Sequence, residues 1–227
     1  MSELFSIQLQ NRQQQGRDGV WLDLPTTTEQ VQAALRQIGI SSDNPQGLFI
    51  SGYFAEEEKR FAIPYNMVLA SNVDELNFLA SRLETLSTGE RAELNAALQA
   101  PQSELFSIGR ITDFPENVDY YVHLPDVHGP AQLGDYYLNR SGMVDMPEEW
   151  KGGIDTAQFG RYVAQQEQGV FTEYGYLVKS GDAWQKVHEG QPVPEEYRVL
   201  SFPASEILRD AANIPPPVQP ETEPQKV

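Results

Sequence analysis

Histidine and carboxylate side chains lie close together in one short stretch of the chain. His123 and His128 are five residues apart, with Asp126 between them and Asp135 seven residues beyond the second histidine. Such side chains can hold a metal ion or transfer protons in a hydrolase. The five-residue spacing around Pro125 matches no zinc-binding motif, however, and a pair of loop histidines explains it more simply. A metal-dependent hydrolase that uses these four side chains is therefore the one enzyme hypothesis that the sequence offers.

Other catalytic signatures are missing from the sequence. The chain contains no cysteine, which excludes a cysteine nucleophile, a thiolate zinc site and disulfide bonds. The patterns of a nucleophile elbow, a phosphate-binding loop, a dinucleotide-binding turn and a zinc-protease helix are absent too. We therefore expect a protein that is not an enzyme and that needs no cofactor and no metal.

Acidic residues are the most prominent chemical feature. Residues 116–178 contain ten acids against three bases, which leaves a local net charge of −7. The acids stand singly among apolar residues, a pattern typical of a structured surface, whereas a disordered acidic tail carries them in blocks. We take these acids, with one that precedes them, as candidate partner-binding residues. They are Asp113, Glu116, Asp119, Asp126, Asp135, Asp145, Glu148, Glu149, Asp155, Glu167 and Glu173.

The overall charge restricts the partners. The 227 residues include 33 acids and 16 bases, which gives a net charge of −17 and a pI of about 4.4. Such a field repels nucleic acid and anionic membranes and attracts basic surfaces. The bases are scattered, so no cluster neutralises several phosphates. Without a signal peptide or an apolar stretch of about 18 residues, we expect a cytoplasmic protein that binds neither nucleic acid nor membrane.

The remaining possibility is an acidic protein that imitates nucleic acid. Carboxylates held at phosphate-like spacing on a rigid frame can occupy a DNA-binding groove and engage its lysines and arginines. Two associated chains would carry −34, twice the charge of one chain. That is the charge on about 58 Å of duplex DNA at one charge per ~1.7 Å. A module that contacts some other basic partner remains open as an alternative.

Apolar periodicity divides the chain into four segments. Residues 1–64 are predicted to form two strands, a helix that begins with capping-box spacing at 26–29, and a third strand at 48–53. Residues 65–112 change to a helical period and are predicted to form a small helical bundle. Asn72 is the expected cap of its first helix, and the second helix is expected to begin at Ser87 or Thr88.

Residues 113–205 alternate extended and helical patterns, and residues 206–227 form a Pro-rich, acidic, flexible tail. The predicted elements of this acidic α+β domain are an extended piece at 117–124, a helix from Pro130 to Gly142, one turn at 147–150, a helix capped by Asp155, a strand at 169–178 paired with a segment containing Trp184 and Val187, and an extended piece at 197–202. The predicted fold class is α+β, an elongated chain of three small domains.

Several short pieces resemble the ArdA antirestriction family of conjugative plasmids and transposons. They occur in the family's order between residues 4 and about 178. The pieces are Gly19-Val20-Trp21-Leu22-Asp23-Leu24-Pro25, Phe49-Ile50-Ser51-Gly52-Tyr53, Asp74-Glu75-Leu76-Asn77, Leu133-Gly134-Asp135-Tyr136-Tyr137, Ile154-Asp155, Phe159-Gly160-Arg161, Gly169-Val170-Phe171-Thr172 and Gly175-Tyr176.

The resemblance implies a cytoplasmic DNA mimic encoded by a mobile genetic element. A member of this family is expected to occupy the DNA-binding groove of a type I restriction-modification enzyme, as an elongated homodimer of three-domain chains. The alternative partner-binding module would belong to the same mobile element and contact another of its basic partners. The chain departs from the family by its extension past Val178.

Overall fold

A computed structural model describes residues 3–14, 18–41, 45–56 and 60–200. These residues form an α+β fold with two three-stranded antiparallel sheets and eight α-helices. The predicted flexible tail at 206–227 lies outside the described residues. None of the helices in the described ranges is long and apolar enough to cross a lipid bilayer.

The first sheet confirms the predicted N-terminal strands. It contains β1 (Phe5–Asn11), β2 (Val20–Leu24) and β3 (Leu48–Phe54) in the order β2-β1-β3. Side chains along β1 alternate between buried and half-buried positions, so one face of the sheet packs on the core. The third strand pairs directly with the first, with a register shift next to Gln8.

The first helix, α1 (Thr28–Gln37), begins one residue later than the sequence suggests. Its capping box joins Thr27 and Gln30 rather than Thr26 and Glu29. The backbone N–H of Thr26 donates instead to Oδ1 of Asn77, at 2.7 Å. The spacing at 26–29 assigns the Thr26 N–H to the capping box, but in the structure this N–H is used in a long-range hydrogen bond.

The central segment is helical, as predicted. Its helices are α2 (Tyr65–Leu69), α3 (Val73–Leu83), α4 (Thr88–Gln99) and α5 (Ile108–Thr112). Periodicity alone did not predict the two five-residue helices, because one turn is too short to display a period.

The predicted cap at Asn72 is confirmed, and the second long helix begins where the sequence predicts, with Ser87 as its cap. The side chain of Asn72 accepts the N–H of Glu75 at 2.9 Å, and Ser87 forms a capping box with Glu90. Each side chain satisfies a backbone donor that the first helical turn leaves unpaired. The apolar residues that follow at helical spacing, from Val73 to Leu83, are buried.

The second sheet contains β4 (Tyr121–Leu124), β5 (Val170–Thr172) and β6 (Gly175–Lys179) in the order β4-β6-β5. The predicted single strand at 169–178 is wrong, because a tight turn divides it into a hairpin. Thr172 Oγ1 donates to the Gly175 carbonyl at 2.8 Å, and Gly175 adopts a φ of 119°, a conformation open to glycine.

The predicted strand around Trp184 and Val187 is also wrong. Residues 180–200, which we call the C-terminal extension, contain a 3₁₀ turn at Glu195–Tyr197 and no strand within their described length. Side chains from earlier in the chain bond to their backbone instead of a sheet neighbour. Gln185 N–H, for example, donates to Oδ1 of Asn117 at 2.7 Å. The predicted extended piece at 197–202 is described only to residue 200.

Three helices lie between β4 and β5 in the chain. They are α6 (Pro130–Asp135), α7 (Glu148–Lys151) and α8 (Thr156–Glu167), and a π-helical turn (Tyr136–Arg140) continues α6. The Asp155 cap of α8 is confirmed by its hydrogen bond from the Gln158 N–H, at 2.9 Å.

Two apolar clusters hold the described residues together. The larger one runs from the first sheet through the central helices to Tyr121, Leu177 and Val199. The smaller one is built on Val127, Leu133 and Tyr176. Apolar packing therefore continues across residues 64 and 112. The division into domains at 1–64, 65–112 and 113–205 stays a prediction.

Candidate partner-binding surface

A close crossing of α6 and α8 forms the frame that carries many of the candidate acids. A Cβ atom on Gly134 would lie 1.9 Å from the Thr156 carbonyl oxygen, and one on Gly160 would lie 1.8 Å from the Pro130 carbonyl oxygen. The two backbones therefore touch at a point where only glycine fits. We call residues 121–179, which include this crossing and the second sheet, the α6–α8 unit.

Glu167, the last residue of α8, is half-buried and connects this helix to the π-helical turn and to β6. Its two carboxylate oxygens accept the hydroxyls of Tyr137 and Tyr176, at 2.5 and 2.9 Å. Burial, followed by the hydrogen bond to Glu167, raises the pKa of both tyrosines. The sequence groups Glu167 with the surface acids, but both of its oxygens are already used in internal hydrogen bonds.

Four candidate acids are exposed and unpaired within the described part of the chain. Among the described residues, none forms a hydrogen bond or an ion pair with their carboxylates. We call them the open set: Asp119, Asp126, Asp145 and Glu149. Their charge is available to a binding partner without breaking any internal contact.

Two further exposed acids have neutral partners. Asp155 caps α8, and the Glu173 side chain accepts a hydrogen bond from Gln99. Neither contact neutralises the carboxylate, so both residues keep their negative charge at the surface.

Three candidate acids are paired with bases. Glu116 bonds to Arg82, Asp135 to Arg140 at 2.6 Å, and Glu148 to Lys151 at 2.6 Å. Hydrogen bonds from Asn139 and then Arg140 lower the pKa of Asp135. Each of these carboxylates has its charge balanced by a neighbouring base, so it is less available to a binding partner than an unpaired one.

Asp113 lies away from the surface and is a correction to the predicted set. Its side chain is fully buried and accepts the backbone N–H groups of Val187, His188 and Glu189, at 3.3, 2.6 and 3.2 Å. It therefore anchors the C-terminal extension instead of meeting a partner.

The histidine stretch forms no metal cluster within the described part of the chain. His123 Nε2 lies 2.7 Å from the Tyr174 carbonyl oxygen, and Asp135 is engaged by Arg140. His128 is exposed. Within the described residues, no group of three or more His, Asp or Glu side chains converges on a possible metal position.

Two kinds of residue at this surface escaped the sequence analysis. Met143, Trp150 and Tyr162 are large apolar side chains exposed by 76%, 66% and 60%. Only Trp150 offered a signal in the sequence, because it directly follows Glu148 and Glu149. Glu93 on α4 is the other kind, since its Oε1 is buried without a hydrogen-bond partner in the described structure. Burial, with smaller contributions from Asp119 and Glu90, raises the pKa of Glu93 to about 8.

Comparison with known proteins identifies the family. The model of a family described as antirestriction protein (ArdA) matches residues 15–178. Among curated proteins, a search finds no match. The matched range ends one residue before β6 does, so it contains nearly all of the α6–α8 unit but not the C-terminal extension.

Proposed function

Because the chain belongs to the ArdA antirestriction family, we propose that it blocks a type I restriction-modification enzyme by occupying the groove that normally holds DNA. Membership in this family implies an antirestriction function and an interaction with restriction-modification enzymes, and the family is not known for catalysis. DNA mimicry is our explanation of how the chain performs that function.

The observation that carries the proposal is the open set. Asp119, Asp126, Asp145 and Glu149 are exposed and form no ion pair with any described residue. An enzyme that binds duplex DNA presents lysines and arginines to phosphates, and those side chains can pair with carboxylates in the same way. Asp155 and Glu173 extend this negative face, because their partners are neutral.

Rigidity of the frame supports mimicry over a flexible acidic tail. The backbone contact at Gly134 and Gly160 and the internal bonds of Glu167 fix the elements between the acids. A preorganised array loses less conformational entropy on binding than a disordered one does. Fixed spacing is also what a surface needs in order to be bound in place of a regular phosphate backbone.

Exposed apolar side chains supply a second kind of contact. Trp150 lies between Glu149 and Lys151 and is 66% exposed. Tryptophan is over-represented among the residues that dominate binding energy at protein interfaces. We propose that Trp150 packs on the protein surface beside the basic groove, so that part of the affinity persists at high salt.

The proposed assembly is an elongated homodimer of chains with three small domains. Two copies would double the negative charge of one chain to −34. The extended charge suits a long DNA-binding groove better than a single local contact would, because duplex DNA carries one charge per ~1.7 Å.

Competition with DNA tests the proposal. A purified type I restriction-modification enzyme is titrated with labelled duplex DNA in the presence of increasing amounts of the protein. Mimicry requires the apparent Kd for DNA to rise in proportion to protein concentration while the maximal DNA signal stays constant. Formation of a ternary complex, with DNA and protein bound together, would contradict groove occupancy. It would favour the alternative, an acidic module that contacts a basic surface elsewhere.

A further inference from the structure

A cavity lies where the C-terminal extension packs on the central helices. Its volume is about 610 Å³, and its walls come from α2, α3, α5 and residues 188–193. Binding sites for small molecules typically have volumes of about 300–1,000 Å³. The extension lies beyond the part of the chain that matches the family, so the family assignment says nothing about this site.

Buried contacts fix the outer wall of the cavity. Asp113 accepts three backbone N–H groups at residues 187–189. Arg110 joins the same wall by pairing with Glu189 at 3.0 Å and with Glu104 at 2.9 Å. The cavity is therefore formed before any ligand arrives, which reduces the cost of binding.

Aromatic and acidic side chains share the lining. Glu75 and Phe78 are three positions apart on α3 and so lie on the same helix face. Phe106 contributes a ring that is 63% exposed, and the Arg110 guanidinium lies 4.7 Å from its centre. That guanidinium makes a cation–π contact with the ring, which is the kind of contact that a ligand ammonium group makes with an aromatic side chain.

Glu75 is the uncompensated charge of the lining. The other acid there, Glu189, is paired with Arg110 and Lys186, whereas no base in the described residues pairs with Glu75. Burial raises the pKa of Glu75, hydrogen bonds with Asn72 oppose the shift, and Asp74 adds to it. A ligand cation beside the carboxylate would stabilise its ionised form.

We propose that this cavity binds a small substituted ammonium ion, with the charged nitrogen against Glu75 and the apolar body against Phe78 and Phe106. An anionic ligand would meet the unpaired Glu75 carboxylate and a chain with a net charge of −17. A neutral apolar ligand would cover the half-buried Glu75 carboxylate without pairing its charge. The proposal is independent of the antirestriction function.

The experiment titrates the full-length protein with three probes of similar shape and different charge. Phenethylammonium is the cation, phenethyl alcohol the neutral analogue and hydrocinnamate the anion, each followed by calorimetry and by protein chemical shifts. We expect saturable binding of the cation, with the alcohol about tenfold weaker because it lacks a charge-assisted hydrogen bond. The anion should not bind.

Two variants connect the binding to the cavity. Glu75→Gln should weaken phenethylammonium about tenfold. It should leave the helix start intact, because glutamine also serves at the third position of a cap. Phe106→Leu changes an exposed side chain and should weaken the cation severalfold without affecting folding. Glu29→Gln is the matched control. It removes one exposed charge from α1, outside the cavity lining, and should leave the affinity for phenethylammonium unchanged.

Three results would overturn the proposal. They are equal affinity for the cation and the alcohol, cation binding unaffected by both Glu75→Gln and Phe106→Leu, and no saturation of the wild-type protein at about 10 mM phenethylammonium. If Glu75→Gln fails to fold, the Phe106→Leu titration and the comparison of probes decide the question alone.

Discussion

Carboxylates face inward at the junction of the C-terminal extension with α3 and α5, whereas on the α6–α8 unit and its edge the open set faces solvent. At the junction, Asp113 accepts three backbone N–H groups and Asp74 accepts those of Val199 and Leu200, at 2.7 and 2.9 Å. In the open set, Asp119 and Asp126 are exposed and make no such contact with described residues. One residue type thus anchors the chain in the first region and remains available for binding in the second.

The contrast shows why a count of acids does not measure a binding surface. A buried carboxylate that accepts several hydrogen bonds contributes to stability and is invisible to a partner. An exposed carboxylate contributes little to stability but much to the long-range field. Substitutions in the two regions should therefore affect different measurements.

Asp113→Asn should have the largest effect on stability. The amide replaces one acceptor oxygen by an NH₂ group that faces backbone donors, so buried N–H groups at residues 187–189 lose a partner. We expect a loss of about 3 kcal/mol in the free energy of unfolding, measured by urea denaturation. The matched change Asp119→Asn in the open set should alter it by less than about 0.5 kcal/mol. Equal losses in both variants would remove the distinction between the regions.

Gly160→Ala should destabilise the frame of the α6–α8 unit. The added methyl group would lie 1.8 Å from the Pro130 carbonyl oxygen, so the two helices must separate. We expect a cost of roughly 2 kcal/mol, measured as a lower Tm in differential scanning calorimetry. Gly152→Ala is the control, because a Cβ there meets nothing within 4 Å. A Tm for Gly160→Ala equal to that of the control would mean that the helices tolerate the separation.

Glu93→Gln should give a smaller, pH-dependent effect. The pKa of Glu93 is raised from 4.5 to about 8 in the folded protein by burial and by Asp119 and Glu90. Folding therefore favours the protonated form, and its contribution to stability is complete below pH 4.5 and is lost as pH rises through about 8.

The measurement is Tm against pH. At pH values above 8, the Tm of Glu93→Gln should exceed that of the wild type by roughly 2–4 °C. This figure allows for the screening of the half-buried carboxylate by solvent. Near pH 5 the two proteins should unfold at similar temperatures. A constant difference across the range would show that Glu93 does not titrate in this interval.

Local signals predicted much of the fold. The caps at Asn72 and Asp155 each depend on a side chain and a backbone donor three residues later, and both are present. The strands of the first sheet follow from alternating apolar residues. The family resemblance, carried by short pieces in the right order, is also confirmed.

Long-range contacts account for what the sequence could not predict. The segment around Trp184 has the composition of a strand, but Asn117 and Asp113 fix its backbone from about 70 residues earlier. Asp113 and Glu167 look like any other acids in a charged stretch. Only the packed structure shows that their oxygens face backbone N–H groups and tyrosine hydroxyls.

The most direct test compares two fourfold variants for their affinity to a type I restriction-modification enzyme at several salt concentrations. One variant neutralises the open set: Asp119→Asn, Asp126→Asn, Asp145→Asn and Glu149→Gln. The other removes the same charge from exposed acids elsewhere: Glu3→Gln, Asp18→Asn, Glu195→Gln and Glu196→Gln. We predict that the open-set variant binds roughly tenfold to a hundredfold more weakly, with a shallower dependence on salt, and that the control changes by less than about threefold. Equal losses in the two variants, or no loss in the first, would contradict the account.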